Sequence, residues 1–198
     1  YGLATEKAPR LAICPAAFSN PSMHEDLERT GFDLRMLDCE HLDAAKTIDL
    51  LINNAGILTR ESLQEMDLDA VKWQFEVNAV GPLRVSHALL SQMGPGSKIG
   101  IVTSRMGSIA DNSSGSRYGY RMSKAALNMA TRSMALDLES AGVTGVCLHP
   151  GWVQTDMGGP NAQISTEESA TALLDTIDGL SKEQNGTLLD RDGQTIPW

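Results

Sequence analysis

Short apolar runs that stop at polar residues or glycine recur along the chain, separated by longer segments of helical periodicity. This alternation constrains the fold more than any other feature. The clearest run, Leu50-Leu-Ile, ends in Asn53-Asn54-Ala55-Gly56. A stretch that is apolar at every residue, rather than at every second one, reads as a strand covered on both faces, as in a parallel sheet. Further strand candidates are 11–14, 34–37, 99–103, 143–148 and 187–189. Helical patterns lie between them, notably 69–93, with Val71, Phe75 and Leu83 in its apolar stripe, and 120–138. A last helix opens at Ser165-Thr-Glu-Glu168, a sequence that fits a capping box. Strands alternating with helices predict an α/β fold: a single-domain, doubly wound, mainly parallel sheet with helices on both faces. Ligands of such sheets bind beyond the carboxyl ends of the strands. The residues just after each apolar run are therefore the first candidates for a site.

Composition narrows the function classes. With 198 residues, 41% of them hydrophobic, the chain is long enough for one well-buried domain spanning 1–198. A formal charge of -9 argues against sequence-independent binding of nucleic acid or an anionic membrane, since both require a basic face. No run approaches the roughly 20 apolar residues of a membrane-spanning helix, and no charged-then-apolar leader is seen. Cys14, Cys39 and Cys147 lack Cys-x-x-Cys spacing and read as reduced, buried thiols of a cytoplasmic protein. His24, His41, His87 and His149 are scattered, so no metal site is expected. Cys147 and His149 share one strand face without a third ligand. A serine hydrolase would carry Gly-x-Ser-x-Gly, and no serine sits in that frame.

Chemistry concentrates at Tyr120-Arg-Met-Ser-Lys124. Residues at i and i+4 share a helix face. A free tyrosine has a pKa of about 10, and a lysine charge beside it favours the phenolate. Tyr120 is thus a candidate proton donor and acceptor, with Ser104 upstream to steady the oxygen being protonated. Taken alone, the pair is also what a surface tyrosine and a solvated lysine look like. Three further segments change the reading. Asn53 and Asn54 would pin the loop after the 50–53 strand, and Gly56 would let a flat cofactor approach. Asn78 is a polar residue inside a helical pattern, where an exposed position is the ordinary expectation. His149-Pro150-Gly151-Trp152-Val153-Gln-Thr155 turns sharply after a strand.

Together, Asn54-Ala55-Gly56, Asn78, Ser104, Tyr120-x-x-x-Lys124 and Pro150-Gly151-x-x-x-Thr155 resemble the short-chain dehydrogenase/reductase family over nearly all of the chain. The ending 185–198 resembles the branch containing the C-factor and sniffer-type carbonyl reductases. The resemblance implies a Rossmann-type domain and NAD(P)(H)-dependent interconversion of a small carbonyl substrate and its alcohol. It also implies roles. Tyr120 would protonate the carbonyl oxygen, and Lys124 would lower the Tyr120 pKa and hold the nicotinamide ribose. Ser104 would orient the substrate oxygen, and Asn78 would anchor a proton-relaying water. Asp38 would bond the adenine, with Cys39 beside it. Asn54, Ala55 and Gly56 would line the cofactor groove, and Pro150, Gly151, Val153 and Thr155 would meet its carboxamide end. Pro15-Ala-Ala carries neither the carboxylate that would bind a ribose 2'-hydroxyl nor an arginine for a 2'-phosphate. Both cofactors stay open on the residues; the resembled reductases mostly use NADP, which favours NADP(H) over NAD(H). A homodimer or homotetramer is implied through the helices of Asn78 and Tyr120, with Ala125, Ala126, Ala130 and Ala135 permitting close approach.

The chain departs from the family pattern at its start. The family's Thr-Gly-x-x-x-Gly-x-Gly turn and the strand before it are absent, and 4–10 is too short for a crossover helix with its loop. Residues 40–48 are likewise fewer than the dozen or so a parallel crossover takes. Both shortages flank the expected cofactor groove, so the expectation is that the intact polypeptide carries additional residues at both places. The alternative is a real deletion, giving a non-catalytic interaction or signalling protein with impaired cofactor binding. Elsewhere, 105–119 is expected to be a pocket-shaping loop, with Tyr118 in the loop or lining the pocket. The stretch 157–163 is short for a substrate lid, leaving a more open pocket; Trp152 and Met106 are read either as its lining or simply as core.

Overall fold

The structure is a computed structural model that describes residues 47–198 and the backbone of Leu11–Cys14. Its sheet runs in chain order: β1 (Leu11–Cys14), β2 (Leu50–Asn53), β3 (Lys98–Val102), β4 (Thr144–His149) and β5 (Leu188–Asp190), every neighbouring pair parallel. Strands β3, β4 and β5 differ from the predicted segments by a residue at their ends, as ladder boundaries commonly do. The strand predicted at 34–37 lies outside the described residues. So do the two short segments, apart from Thr47 and Ile48.

Side chains alternate across this sheet with a period of two. Leu51, Ile99 and Ile101 pack on one face with Leu89 and Leu127, whereas Leu50, Ile52, Val146 and Leu148 pack on the other with Leu173 and Ile177. Neither face is left to water, which is why the inner strand residues, such as Leu50-Leu-Ile52 and Val146-Cys-Leu148, are apolar on both sides. Helices α2 (Gly81–Leu89) and α3 (Tyr118–Asp137) cover the first face, and α4 (Thr166–Asp178) covers the second. Helix α1 (Leu68–Phe75) is capped by the Asp67 carboxylate, which accepts from the Asp69 and Ala70 amides. It lies against the start of α3: a Cβ added at Gly119 would fall 3.0 Å from Val71 Cα.

The long helix predicted over 69–93 is divided. A π-helical turn, Glu76–Val80, separates α1 from α2, and a 3₁₀ turn closes the segment at Leu90–Gln92. The break has a chemical cause, because Pro82 has no N–H to offer the carbonyl of Asn78 four residues back. The residues of its apolar stripe are unequally buried, Val71 lying against the start of α3. Phe75 and Leu83 are 41% and 43% exposed, whereas Gln74 and Asn78 are fully buried. Two of the alanines expected at a subunit interface pack instead on their own sheet. Ala126 joins the core of the first face, and Ala135 lies 3.6 Å from where a Gly145 Cβ would stand. At the N-terminus of α4, Ser165 accepts from the Glu168 amide, but the Glu168 carboxylate goes to Arg191 (3.1 Å) rather than back to the cap. The reciprocal box forms instead between Ser181 and Gln184. Among the described residues no helix is long and apolar enough to cross a membrane, and no group of three potential ligands is placed to hold a metal ion.

Candidate active site

The carboxyl ends of β2, β3 and β4 deliver the sequence candidates to one edge of the sheet. After β2, the buried Asn53 donates to Ser86 Oγ (3.1 Å), tying the strand end to α2. Two helix residues one turn apart grip the loop that follows. Asn78 accepts from the Ile57 amide (2.7 Å) through Oδ1, and its Nδ2 donates to the Ile57 carbonyl (2.9 Å) and to Ser123 Oγ (3.0 Å) on α3. Gln74 accepts from the Thr59 amide (3.0 Å) and donates to the Glu61 carboxylate (2.6 Å). Asn53 therefore pins the loop as expected, while Gln74 and Asn78, rather than the exposed Asn54, hold the rest. Ala55 is half-buried beside them. Gly56 faces the site: a Cβ there would lie 3.3 Å from Lys124 Nζ and 3.5 Å from Asn78 Oδ1.

After β3, Thr103 donates to Asn128 (2.7 Å), and Ser104, buried and extended, accepts from the Met106 amide (3.1 Å). The 3₁₀ turn Arg105–Gly107 rests directly on α3, since a Cβ at Gly107 would fall 2.8 Å from the Lys124 backbone carbon. That helix turns Tyr120, Ser123, Lys124, Leu127, Asn128 and Thr131 inward, which is the spacing of a buried helical stripe. Tyr118, expected in the loop or lining the pocket, is the first residue of this helix, which ends at Asp137.

The Ser104 hydroxyl is the polar side-chain neighbour that acts on the Tyr120 phenol. Burial raises the Tyr120 pKa above that of a free phenol, and the Ser104 hydroxyl pulls it the other way without overcoming burial. The expected lowering by Lys124 is not seen. Its ammonium lies 5.8 Å from the Tyr120 ring centroid, over the ring, and donates to the Val102 carbonyl (3.0 Å). Burial also brings Lys124 itself down to about 8, against which the neighbouring Cys147 acts weakly. Cys147 is pushed up to about 12 by its own burial and stays a protonated thiol.

After β4, Gly151 takes a left-handed conformation (φ +85°), as the Pro150-Gly151 turn requires. Ser169 of α4 donates to the Pro150 carbonyl (2.8 Å). Val153 pairs with Ile164, Thr155 Oγ1 accepts from the Gly158 amide (3.1 Å), and the Trp152 indole donates to the Gly158 carbonyl (2.8 Å). The 157–163 stretch is thus a closed loop, and Trp152 fastens it while remaining half-exposed. His149, just ahead of the turn, is lowered to about 4, by burial first and by Arg105 next.

The structure brings Gly56, Asn78, Ser104, Tyr120 and Lys124 together and sets Pro150, Gly151, Val153 and Thr155 on the same edge of the sheet. Asp38 and Cys39 lie outside the described residues. Sequence reasoning missed Gln74, Ser123 and Asn128. Each stands three or four residues from a recognised site residue, and that spacing was the available signal.

A family model described as short chain dehydrogenase matches residues 39–165. The protein C-signal of Myxococcus xanthus is 49% identical over 154 residues, covering 76% of this chain and 93% of that one. The carbonyl reductase Sniffer of D. melanogaster superposes with a TM-score of 0.82 at 29% identity, covering 99% of this chain and 91% of that chain. An NADPH-bound carbonyl reductase from chicken fatty liver superposes with a TM-score of 0.79 at 27% identity, covering 95% and 87%.

Proposed function

Because the chain belongs to the short-chain dehydrogenase family, we propose that it is an NAD(P)(H)-dependent oxidoreductase interconverting a small carbonyl compound and its alcohol, with Tyr120 as proton donor and acceptor. One observation carries the reading: a buried phenol beside the buried Ser104 at the carboxyl edge of a parallel sheet, with the Lys124 ammonium over its ring. A phenol held above its ordinary pKa is fully protonated at neutral pH, the state in which reduction needs it. The Ser104 hydroxyl would bond the same substrate oxygen and favour the phenolate as the proton leaves.

The described residues fit the nicotinamide half of a dinucleotide. Gly56 leaves open, beside Lys124 Nζ, the space that a Cβ would take. Lys124 would hold the nicotinamide ribose, Asn54, Ala55 and Gly56 would line the cofactor groove, and Pro150, Gly151, Val153 and Thr155 would meet the carboxamide end. Asp38 and Cys39 would serve the adenine. When bound, the nicotinamide supplies the hydride. All three Asn78 side-chain bonds go to protein groups, so a relay water anchored by this residue would sit on its backbone carbonyl, which Pro82 cannot serve as a donor. The NADPH-bound carbonyl reductase among the structural relatives supports NADP(H) over NAD(H). We also propose a cytoplasmic homodimer or homotetramer. The buried reduced Cys147 fits a reducing compartment, and the outward faces of α1, α2 and α3 expose Trp73, Leu83, Met122, Met129 and Leu136.

A panel of aldehydes and ketones with NADPH and NADH tests the reading. Tyr120→Phe is expected to lower turnover by about two orders of magnitude or more with melting and cofactor binding unchanged, while Tyr118→Phe stays active. Near-wild-type reduction by Tyr120→Phe would sink the assignment. The name of the 49% identical relative, C-signal, favours a second reading as a non-catalytic signalling protein. A wild-type protein that neither binds nor turns over either cofactor would decide for it.

A further inference from the structure

Four neutral oxygens converge on one guanidinium. Arg121 Nε donates to the carbonyls of Gly115 (3.0 Å) and Ser116 (3.2 Å), Nη1 to the Met106 carbonyl (3.4 Å), and Nη2 to the Ser114 hydroxyl (2.8 Å). These partners stand at opposite ends of the loop between Ser104 and Tyr120. Its far end is a left-handed run, Gly115, Ser116 and Arg117, with φ of 63°, 54° and 51°. Only the first of the three is a glycine; serine and arginine rarely adopt this conformation and hold it only when surrounding bonds impose it. Arg121 supplies two of those bonds, and the Arg117 amide, donating to the Glu61 carbonyl (2.8 Å), supplies another. Helix α3 starts at the next residue, so the run fixes how Tyr120 enters the site. At the near end, the Met106 carbonyl takes Arg121, and the Met106 amide donates to Ser104 Oγ.

Resting on the dehydrogenase reading above, we propose that Arg121 is a positioning residue: its fork closes the neck of the 105–117 loop and thereby holds the Ser104 hydroxyl in register with the Tyr120 phenol. The planar guanidinium suits this task because it presents several donors in a rigid geometry, and its charge strengthens bonds to neutral carbonyls. An ammonium at the same place would reach one oxygen and leave the others.

The test compares Arg121→Ala, Arg121→Lys and Ser104→Ala with the wild type for kcat, its pH dependence, cofactor dissociation constant and melting temperature. Arg121→Ala is expected to lose on the order of a hundredfold in kcat, the scale on which an ångström of misplacement acts. Cofactor affinity should stay near wild type. Added guanidinium should restore part of the lost turnover, and Arg121→Lys should remain impaired. The basic limb of the kcat profile should move to higher pH, as in Ser104→Ala, because both changes weaken the Ser104 interaction that favours the phenolate. Wild-type kcat in Arg121→Ala would overturn the proposal. So would a loss of turnover accompanied by equal losses of affinity and melting temperature, with the pH limb unmoved. If the wild type reduces no carbonyl at all, the dehydrogenase reading falls, and the positioning role is then read from the Tyr120 ring resonance of protein carrying labelled tyrosine, assigned with Tyr120→Phe. A shift in Arg121→Ala matching that in Ser104→Ala supports it; an unmoved resonance overturns it.

Discussion

Replacing Lys124 with methionine should leave the ligand-free protein no less stable at neutral pH while abolishing its chemistry. The lysine is 3% exposed, and burial brings it from an ordinary 10.5 down to about 8. At roughly 1.4 kcal/mol per pH unit, that difference means that folding a charged Lys124 costs about 3 kcal/mol at pH 7. Methionine keeps the length of the side chain and removes the charge. Against this, the Val102 carbonyl loses its 3.0 Å donor, at a cost of about 1–3 kcal/mol. The net expectation is a variant between equal stability and about 2 kcal/mol of added stability. The pH dependence is the sharper test. The folded-state pKa is below the unfolded one, so between about pH 8 and 10.5 the unfolded chain binds a proton that the folded protein has released, and wild-type stability rises with pH across that window. The variant lacks this rise, so the difference between the two should swing towards the wild type by up to about 3 kcal/mol as the pH climbs. Tyr120, whose raised pKa acts with the opposite sign above its unfolded value, is present in both proteins and drops out of the comparison. Urea unfolding of both proteins across the window measures it. A stability difference that does not vary with pH, or a Lys124→Met variant well below the wild type at neutral pH, would refute the burial argument.

Asn78→Ala removes a fully buried amide from the Ile57 amide, the Ile57 carbonyl and Ser123 Oγ, and should cost about 3 kcal/mol or more in urea unfolding, since each group left unpaired carries its own desolvation cost; a loss under about 1 kcal/mol would show that water replaces the side chain. Met129→Glu places a charge on the exposed apolar face of α3 and should shift the proposed dimer towards monomer in light scattering at micromolar concentration, with catalytic-site geometry retained. A wild-type protein that is already monomeric under those conditions would remove the basis for the assembly.

The sheet was legible because its strands are buried on both faces, so short runs such as Leu50-Leu-Ile52 and Val146-Cys-Leu148 are apolar at consecutive residues and give way to Asn53 and His149, where the chemistry begins. Helix periodicity carried less information. Val71, Phe75 and Leu83 announce a helical pattern but not which side of the helix is buried. The structure gives that side to Gln74, Asn78, Ala79, Ser86 and Leu89, because the two amides are needed to hold the backbone of the loop at Ile57 and Thr59. A polar residue inside a helix is therefore better read together with the unpaired backbone it can reach than as a break in the apolar face. Direction of ionisation was also beyond spacing alone. An i, i+4 lysine guarantees proximity to Tyr120 but not water, and at this depth desolvation decides both groups. The left-handed Ser116 and Arg117 carry no local signal, since neither residue prefers that conformation; it is imposed from outside by Arg121 and Glu61. What remains on the outer side of α1 and α2, Trp73, Phe75 and Leu83, joins Met122, Met129 and Leu136 of α3 among the exposed apolar residues. These exposed residues, and not the small residues first assigned to an interface, are the physical ground on which the assembly is proposed, and the Met129→Glu comparison tests them.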